Sequence, residues 1–313
     1  MQHFQSISDL FLEESWIAIG IFDGVHLGHQ SIIRNLVTGA TSAGSPSVVV
    51  TFFPHPKKVL YGISGQFYLT SPEERAELLS DLGVDYVITQ LFDEEFSKTS
   101  AVAYMRKLHD HLKMKCLNIG VDFALGRDRE GNIELLEKIG NDLGYSVNVV
   151  SPKSFNGLVI SSSMIRNALL SGDVAYSHEL LGHPYQVDGV VIPGDGRGRL
   201  LGIPTANVDV WEEKLLPKVG VYACRVLLEG SSFGAVTNIG VRPTFDSDSL
   251  ATRVETHILN FDRDLYGKKL RIQFLKRLRE EIRFKDVQKL IEQILCDIES
   301  TKEILKIERE GGY

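Results

Sequence analysis

Cysteine is scarce in this sequence: only three of its 313 residues are cysteines, namely Cys116, Cys224 and Cys296. An odd number of widely separated cysteines fits neither a disulfide framework nor a CxxC metal site, so we expect buried free thiols and a cytoplasmic protein. No apolar run approaches the ~20 residues that a membrane-spanning helix needs. The first ten residues lack the basic and apolar regions of a signal peptide. The patterns GxGxxG and GxxxxGK(S/T) are also absent, so neither a dinucleotide fingerprint nor a P-loop is present.

Basic charge is scarce in the first half of the chain. Residues 1–183 contain 14 Lys and Arg against 21 Asp and Glu, whereas residues 184–313 contain 20 basic and 20 acidic residues. Because nucleic acids are normally bound by basic surfaces, we predict a protein that handles small molecules, with no nucleic-acid or membrane partner. The length allows two domains, which we place at 1–183 and 184–313, where the sequence texture changes.

The first half alternates β-rich runs with helical patterns. We predict strands at 16–21, 48–52, 86–89, 116–121 and 146–150. Ser71 and Glu74 form a capping-box signature, which marks the start of a helix between two of these strands. Repeated strand–helix units predict an α/β domain with a parallel sheet that is covered on both faces. Ligands of such sheets bind at the carboxyl ends of the strands.

The second half contains short alternating runs separated by Gly, Pro and Asp. We predict strands at 185–192, 220–228, 234–239, 253–260 and 269–274. This pattern indicates a small antiparallel barrel or sandwich. A helix from about residue 286 ends the chain, and we expect its apolar stripe to pack against the barrel; the stripe consists of Val287, Leu290, Ile291, Ile294 and Ile298.

The stretch GIFDGVHLGH at residues 20–29 joins a predicted strand to a predicted helix. His26 and His29 are three residues apart, so both rings can point the same way. Gly20, Gly24 and Gly28 allow a ligand to approach the backbone closely. A helix N-terminus offers free N–H groups that suit phosphate. The alternative is a structural strand–turn–helix with two surface histidines.

Three further segments of the first half carry polar groups near predicted strand ends or helix starts. The segment Pro54-His55-Pro56 is either a rigid loop after a buried strand or part of a binding site. Asp122 follows the strand at 116–121, where it can contact a ribose or adenine or cap the next helix. Arg166 falls in the first turn of a predicted helix that starts with three serines. A cation is unfavourable near the positive N-terminal end of a helix, so we expect an anion to bind between Arg166 and that end.

In the second half, the Gly/Arg run from Gly194 onward is followed by Pro-Thr-Ala-Asn at 204–207. The run by itself can be a plain flexible turn. Thr205 and Asn207 share a face of an extended segment, and their oxygens are ligands suited to Mg²⁺ carrying a nucleotide phosphate. Glu255 is either a solvated charge at a strand edge or a base that takes a proton from a substrate hydroxyl.

The HxGH pattern at 26–29 resembles that of the nucleotidyltransferases. With the segments at 20–29, 54–56, 120–126 and 160–166, the first half resembles the FAD synthetase (FMN adenylyltransferase) module of bacterial bifunctional riboflavin kinase/FAD synthetases. This resemblance implies a Rossmann-like fold. It assigns the nucleoside of ATP to Asp122, further ATP contacts to Gly20, Phe22 and Gly28, and the ATP phosphates to His26, His29, Ser162, Ser163 and Arg166. It assigns flavin contacts to Pro54 and His55. Phe53 and Leu125 depart from the family pattern.

The second half resembles riboflavin kinase, through motifs at 202–207, 220–223, 238–245, 255–261, 264–267 and 278–284. The resemblance implies a six-stranded barrel with a helical tail. It makes Thr205 and Asn207 ligands of Mg²⁺ and phosphate, and Glu255 the catalytic base. Gly196 and Arg199 would contact ATP, and Arg279 and Phe284 the flavin. Ile203 replaces the more usual phenylalanine.

Together the two resemblances imply an enzyme that converts riboflavin and ATP into FMN, then FMN and a second ATP into FAD and pyrophosphate. We expect Mg²⁺ as the metal, small molecules as the only partners, and a monomer or weak self-association. Two alternatives are a single-activity enzyme with one degenerate module, and a flavin- or nucleotide-binding regulator. Loss of the reactive groups would mark a regulator, yet His26, His29, Asn207 and Glu255 are all present.

Overall fold

The computed structural model describes residues 1–194, 196, 198, 201–243 and 250–310. The chain forms two compact units, Met1–Ser162 and Ser163–Tyr313. The helices over residues 163–171 and Val174–Leu181 fall in the second unit, where the N–H of Lys218 donates to the carbonyl of Leu169. The functional division at 183/184 remains a prediction. Among the described residues, no helix combines the length and the apolar character needed to cross a membrane.

The first unit is built on a parallel sheet of six strands, in the order β1-β4-β3-β2-β5-β6. The strands are β1 Gln2–Phe4, β2 Ser15–Ile19, β3 Ser47–Phe53, β4 Tyr86–Leu91, β5 Met114–Gly120 and β6 Ser146–Val150. Ser154–Phe155 (β7) and Leu158–Val159 (β8) form a separate hairpin. The predicted parallel sheet is confirmed, while β1 was missed because three residues show no periodicity.

The helices of the first unit cover both faces of this sheet. They are α1 Leu27–Ala43, α2 Pro56–Tyr61, α3 Pro72–Asp81, α4 Glu94–Ser97, α5 Ala101–Leu112 and α6 Ile133–Leu143. Two separate apolar cores result, one around Ile17, Leu117 and Leu108, the other around Ala18, Ile33 and Val87. Adjacent residues of β2 thus serve opposite cores, as expected for a strand buried on both faces. Leu125 belongs to the first core, so its departure from the family pattern is a packing change.

The order of the strands fixes where a ligand can bind. The chain runs from β2 outward to β3 and β4, then returns to the other side of β2 as β5. The connections after β2 and β5 therefore diverge, which leaves a crevice at their carboxyl ends.

The second unit is a closed antiparallel barrel in the order β10-β13-β12-β11-β14-β9. Its strands are β9 Tyr185–Ile192, β10 Ala206–Val210, β11 Gly220–Leu228, β12 Ser231–Pro243, β13 Leu250–Ile258 and β14 Lys269–Arg279. The barrel, and not the alternative sandwich, is confirmed. Its interior is filled by alternate residues such as Tyr222, Thr237 and Phe274, each fully buried.

The described residues of the second unit include the helices α7 Ser162–Ser171, α8 Val174–Leu181 and α9 Val287–Glu310. Ile298 of α9 packs with Val221 and Val236 on the outside of the barrel. The expectation that the whole stripe is buried is wrong at Val287, which is 58% exposed because it opens the helix beyond the barrel surface.

The thiols behave as expected with one exception. Cys116 and Cys224 are buried, and burial raises the pKa of Cys224 to about 12, which keeps it protonated and unreactive. Cys296 is exposed, so the prediction of a buried thiol is wrong there. It lies on α9 two positions from Ile298, and residues two apart on a helix face different directions.

Ser71 caps α3, and both halves of the predicted capping box are present. Replacing Ser71 by Ala removes this cap, so we expect the first unit to lose about 1 kcal/mol of unfolding free energy. Trp16 and Trp211 are the two tryptophans of the chain. In a Trp211→Phe background, Trp16 fluorescence reports urea unfolding of the first unit. Ser80→Ala, in the last turn of the same helix, is the control; equal losses in the two variants would contradict the capping role.

Candidate active sites

A groove lies at the carboxyl ends of β2 and β5, the crevice that the strand order creates. We call it the sheet groove. Six residues that the sequence assigned to ATP or to its phosphates line it: Gly20, Phe22, His26, Gly28, His29 and Asp122.

The two histidines form one stacked pair at the start of α1. Their ring centroids are 3.6 Å apart and the rings are inclined by 19°. His26 is the N-cap, and its Nδ1 accepts a hydrogen bond of 3.3 Å from the backbone N–H of His29. A Cβ on Gly28 would lie 3.0 Å from Cε1 of His26, so glycine leaves room for the ring. The alternative of two surface histidines is wrong, since His26 is 5% exposed.

The backbone of this loop is held in unusual conformations. Phe22, Gly24 and Val25 have φ values of 51°, 82° and 41°. A positive φ is uncommon outside glycine and costs most for a β-branched residue such as Val25. Such strain persists only where the surrounding structure enforces it, which is typical of ligand-binding loops.

A buried carboxylate enforces this conformation. Asp23 is 1% exposed and accepts hydrogen bonds from the N–H groups of Leu69 and Thr70 and from the Thr70 hydroxyl, at 3.0–3.2 Å. The Thr70 hydroxyl in turn accepts from the N–H of Gly24 at 3.1 Å. The carbonyl of Asp23 accepts from the hydroxyl of Ser162 at 3.0 Å. The segment 69–70 therefore fixes the loop that carries the histidines.

Arg75 on α3 lies within this network and is fully buried. Its Nη1 donates to the hydroxyl of Thr51 at 2.8 Å and to the carbonyl of Phe52 at 3.3 Å. Thr51 donates to the carbonyl of Ile21, which ties the guanidinium to the histidine loop. Sequence reasoning missed both Asp23 and Arg75 as site residues. Asp23 stands inside the family motif, whereas Arg75 carries no sequence signal beyond its place in an amphipathic helix.

His29 is held in its neutral form. Burial lowers its pKa well below the usual value, and the nearby rings and charges of His26 and Arg75 lower it further. Within the described residues its buried Nδ1 has no hydrogen-bond partner. A neutral imidazole with an open ring nitrogen can donate to, or accept from, a ligand in the groove.

The remaining first-half residues are placed as follows. Ser162 is the first residue of α7, so Arg166 stands fifth and the prediction that it lies in the first turn is wrong, because a turn takes 3.6 residues. Ser163 is exposed and Arg166 half-buried, and both belong to the second unit. Their phosphate roles remain predictions.

Asp122 is exposed at the groove and does not cap a helix, since Asn132 caps α6. The proline-flanked loop has a structural role: His55 is the N-cap of α2, and its N–H donates to the Tyr68 hydroxyl at 2.8 Å. Its ring packs edge-on against Phe67, with centroids 4.9 Å apart. Contacts of Pro54 and His55 with flavin remain predictions.

The second site lies on the outer face of the barrel. Asn207 of β10 is directly opposite Glu255 of β13, and Glu255 is directly opposite Asn238 of β12. Directly opposed residues of antiparallel strands share a face, with Cβ atoms roughly 4.5–5.5 Å apart. The three side chains therefore form one row, which we call the polar row.

A polar cleft and an apolar cleft meet at this row. The polar cleft is lined by the polar row together with Gly196, Thr205 and Arg253. The apolar cleft is lined by Ile203, Arg279, Ile282, Phe284 and residues of α9, besides Thr205, Asn238 and Glu255. The structure thus brings together every second-half site residue predicted from the sequence except Arg199, which lies outside the described residues, as do Thr244 and Phe245 of the motif at 238–245.

Glycines bring the backbone against the two oxygen-bearing side chains that were predicted to hold Mg²⁺. A Cβ on Gly194 would stand 1.9 Å from the amide nitrogen of Asn207, and a Cβ on Gly198 would stand 3.2 Å from the Thr205 hydroxyl. The backbone at Gly194 and Gly198 thus encloses Asn207 and Thr205, and any larger residue at either glycine would fill the space beside them. Hydroxyl and amide oxygens suit Mg²⁺, which typically keeps few protein ligands beside substrate phosphates. Among the described residues no cluster of three or more His, Cys, Asp or Glu forms a metal site.

Two arginines orient neighbouring groups of the barrel site. Nη1 of Arg253 lies 3.5 Å from Oε1 of Glu255 on the same strand. Arg279 forms a bidentate pair with the buried Asp297 of α9, with the closest contact at 2.8 Å, and its guanidinium lies 6.0 Å from the Phe284 ring centroid. Arg279 therefore fixes α9 and Phe284 at the apolar cleft.

The lowered pKa of His29 gives a test of anion binding in the sheet groove. A bound polyanion favours the protonated ring, so inorganic tripolyphosphate should raise the pKa of His29 and cause proton uptake at neutral pH. Nuclear magnetic resonance titration of labelled imidazoles measures the change, with His183 of the second unit as the control. A His29 pKa that does not respond to tripolyphosphate would argue against phosphate at this ring.

Two family models match the chain, one in each half. The family model described as FAD synthetase matches residues 9–164, and that described as riboflavin kinase matches residues 181–305. A solved structure described as a macrolide-efflux protein from Streptococcus pneumoniae is 29% identical, with a TM-score of 0.86 over 96% of this chain and 98% of that chain.

Two curated relatives carry the name bifunctional riboflavin kinase/FMN adenylyltransferase. The protein of Listeria monocytogenes is 38% identical over 287 residues, which cover 91% of each chain. That of Escherichia coli K12 is 36% identical over 283 residues, which cover 90% of each chain. The chain therefore belongs to the family of bifunctional enzymes that phosphorylate riboflavin to FMN and adenylylate FMN to FAD.

Proposed function

We propose that the barrel clefts, in a functional domain at 184–313, catalyse the phosphorylation of riboflavin. The sheet groove, in a functional domain at 1–183, catalyses the adenylylation of FMN. The pairing of Asn207 with Glu255 across β10 and β13 carries the kinase assignment. It sets a candidate base beside a candidate metal ligand, where an apolar cleft meets a polar one. Both family models match, so nothing favours a degenerate module or a regulator.

In the kinase reaction, Glu255 acts as the general base. Its carboxylate takes the proton of the ribityl 5′-hydroxyl as that oxygen attacks the terminal phosphorus of ATP and ADP leaves. Arg253 holds one carboxylate oxygen, which limits the orientations that Glu255 can adopt. The flavin ring lies in the apolar cleft against Phe284. The guanidinium of Arg279 packs against the Phe284 ring and holds it in position.

Thr205 and Asn207 would hold Mg²⁺ in the polar cleft. When bound, this ion neutralises charge on the transferred phosphoryl group. Gly196 lines the same cleft with a φ of 69°, a conformation suited to backbone that wraps a phosphate. Arg199 completes the proposed ATP contacts.

In the adenylyl transfer, an oxygen of the FMN phosphate attacks the α-phosphorus of ATP and the bond to pyrophosphate breaks. His26, His29 and the free N–H groups of α1 face the charge that accumulates on the departing phosphates. The resemblance to the family assigns the ATP phosphates to Ser162, Ser163 and Arg166 as well. The incoming phosphate is already a nucleophile, so no covalent enzyme intermediate is needed.

The cellular location and the partners of the protein are inferred from its thiols and its charge. The buried thiols of Cys116 and Cys224 support a reducing cytoplasmic location. The acidic balance of residues 1–183 supports small-molecule partners without nucleic acid. We propose a monomer or weak self-association.

Replacing Glu255 by Gln removes the base while keeping size and hydrogen bonding. We expect the rate of FMN formation to fall by roughly 10²–10⁴-fold, because general-base catalysis contributes that much. FAD formation from supplied FMN should remain at the wild-type rate, which chromatography of the products measures in the same sample. Glu229→Gln, an exposed glutamate that pairs with Lys268, is the matched control. Full kinase turnover in Glu255→Gln would refute the assignment.

Replacing His29 by Ala removes one phosphate contact of the sheet groove. We expect FAD formation from FMN to slow by about 10²–10³-fold, the usual effect of losing one donor to developing charge. Riboflavin phosphorylation should be unchanged. His109→Ala on α5, outside the sheet groove, serves as the control. Unaltered FAD formation in His29→Ala would dispose of this role.

A further inference from the structure

Asn238 of the polar row has no role in the assignments above. Its Nδ2 donates a 3.3 Å hydrogen bond to Oε1 of Glu281. Its Oδ1 is buried and has no hydrogen-bond partner within the described part of the chain. The orientation of the amide is fixed chemically, because a flipped amide would place two acceptor oxygens against each other.

An unpaired buried acceptor costs free energy, on the order of 1–3 kcal/mol. A protein retains such a group where a ligand supplies the missing donor. Gly240 allows the arrangement, since a Cβ there would lie 2.7 Å from Oε1 of Glu281 and displace it. The hydrogen bond from Nδ2 of Asn238 to Glu281 thus holds the amide in place and with it the unpaired Oδ1.

The position of Asn238 limits which ligand group can supply the missing donor. It lines both the polar and the apolar cleft, as do Thr205 and Glu255, so it stands where the two substrates meet. Ionised phosphate oxygens only accept hydrogen bonds and cannot satisfy Oδ1. The hydroxyl groups of a sugar-alcohol chain are donors, and riboflavin carries three of them between its ring and the reacting 5′-hydroxyl.

We propose that Oδ1 of Asn238 accepts a hydrogen bond from a ribityl hydroxyl of riboflavin, and that it thereby selects flavins with a hydroxylated chain. The inference rests on the proposed placement of the flavin ring in the apolar cleft. A site that pairs a substrate hydroxyl rejects analogues without it, because its own polar group is then left unpaired. Asn238 also aligns the chain beside Glu255, its direct cross-strand neighbour.

The test compares riboflavin with lumiflavin, which has a methyl group in place of the ribityl chain. In the kinase assay, the KM of riboflavin and the inhibition constant of lumiflavin both report on the barrel site of the full-length protein. Asn238→Leu keeps the approximate size and removes the acceptor, and Asn238→Ala removes both. We expect each to raise the riboflavin KM roughly tenfold and to leave lumiflavin inhibition unchanged.

Thr237→Val is the matched control: Thr237 is the adjacent residue of β12, points into the barrel and pairs with Thr256. It should preserve the preference for riboflavin over lumiflavin. Thermal unfolding followed by circular dichroism verifies that the barrel of each variant is folded. The inference would be overturned if the ratio of the riboflavin KM to the lumiflavin inhibition constant stayed unchanged in both Asn238 variants. It would also be overturned if only the Mg²⁺ dependence of the kinase changed, because Asn238 would then be a metal ligand.

Phe284→Ala separates this inference from the placement of the flavin. If it weakens both riboflavin and lumiflavin, the ring does lie in the apolar cleft, and the Asn238 result stands on its own. If it affects neither, the placement is wrong and the inference fails with it.

Discussion

The antiparallel pairing of β13 with both β10 and β12 determines the chemistry of the barrel. Backbone hydrogen bonds on each side of β13 set Asn207, Glu255 and Asn238 side by side, although 48 and 17 positions of sequence separate Glu255 from the other two. Strand pairing is rigid, and a slip of β13 by one residue would turn Glu255 into the barrel interior, away from Asn207 and Asn238. In the sheet, the return of the chain to β2 as β5 plays the corresponding part, since it opens the crevice that the histidine loop occupies.

Much of this architecture could be predicted from the sequence. The bounds of β9 and β11 agree with the predicted runs, because alternation of apolar residues between glycine and proline breaks is a local signal. The capping box at Ser71 and the stacked histidines are local as well, since each involves residues three apart. The shared face of Thr205 and Asn207 is a local feature too, because residues two apart in an extended segment point the same way.

The remainder depends on contacts between distant segments. Arg75 reaches the histidine loop through Thr51 of β3 and through Thr70, both distant in sequence from that loop, so no spacing in the sequence reveals it. Asn238 acquires its place from strand register, which local patterns do not encode. Arg166 lies just past the first turn, because α7 already begins at Ser162, whose hydroxyl donates to the carbonyl of Asp23. Helix ends are set by such tertiary contacts as much as by propensity.

Val25 joins two opposing demands in one residue. Its backbone is held at a φ of 41°, yet its side chain is 1% exposed and packs in the core with Ala18 and Ile33. Glycine would relax the backbone but leave a void in that core, whereas any larger residue would keep the strain and crowd it. The position therefore has a narrow range of acceptable residues, and variants selected for thermal stability alone would tend to relax the strained loop that carries the two histidines.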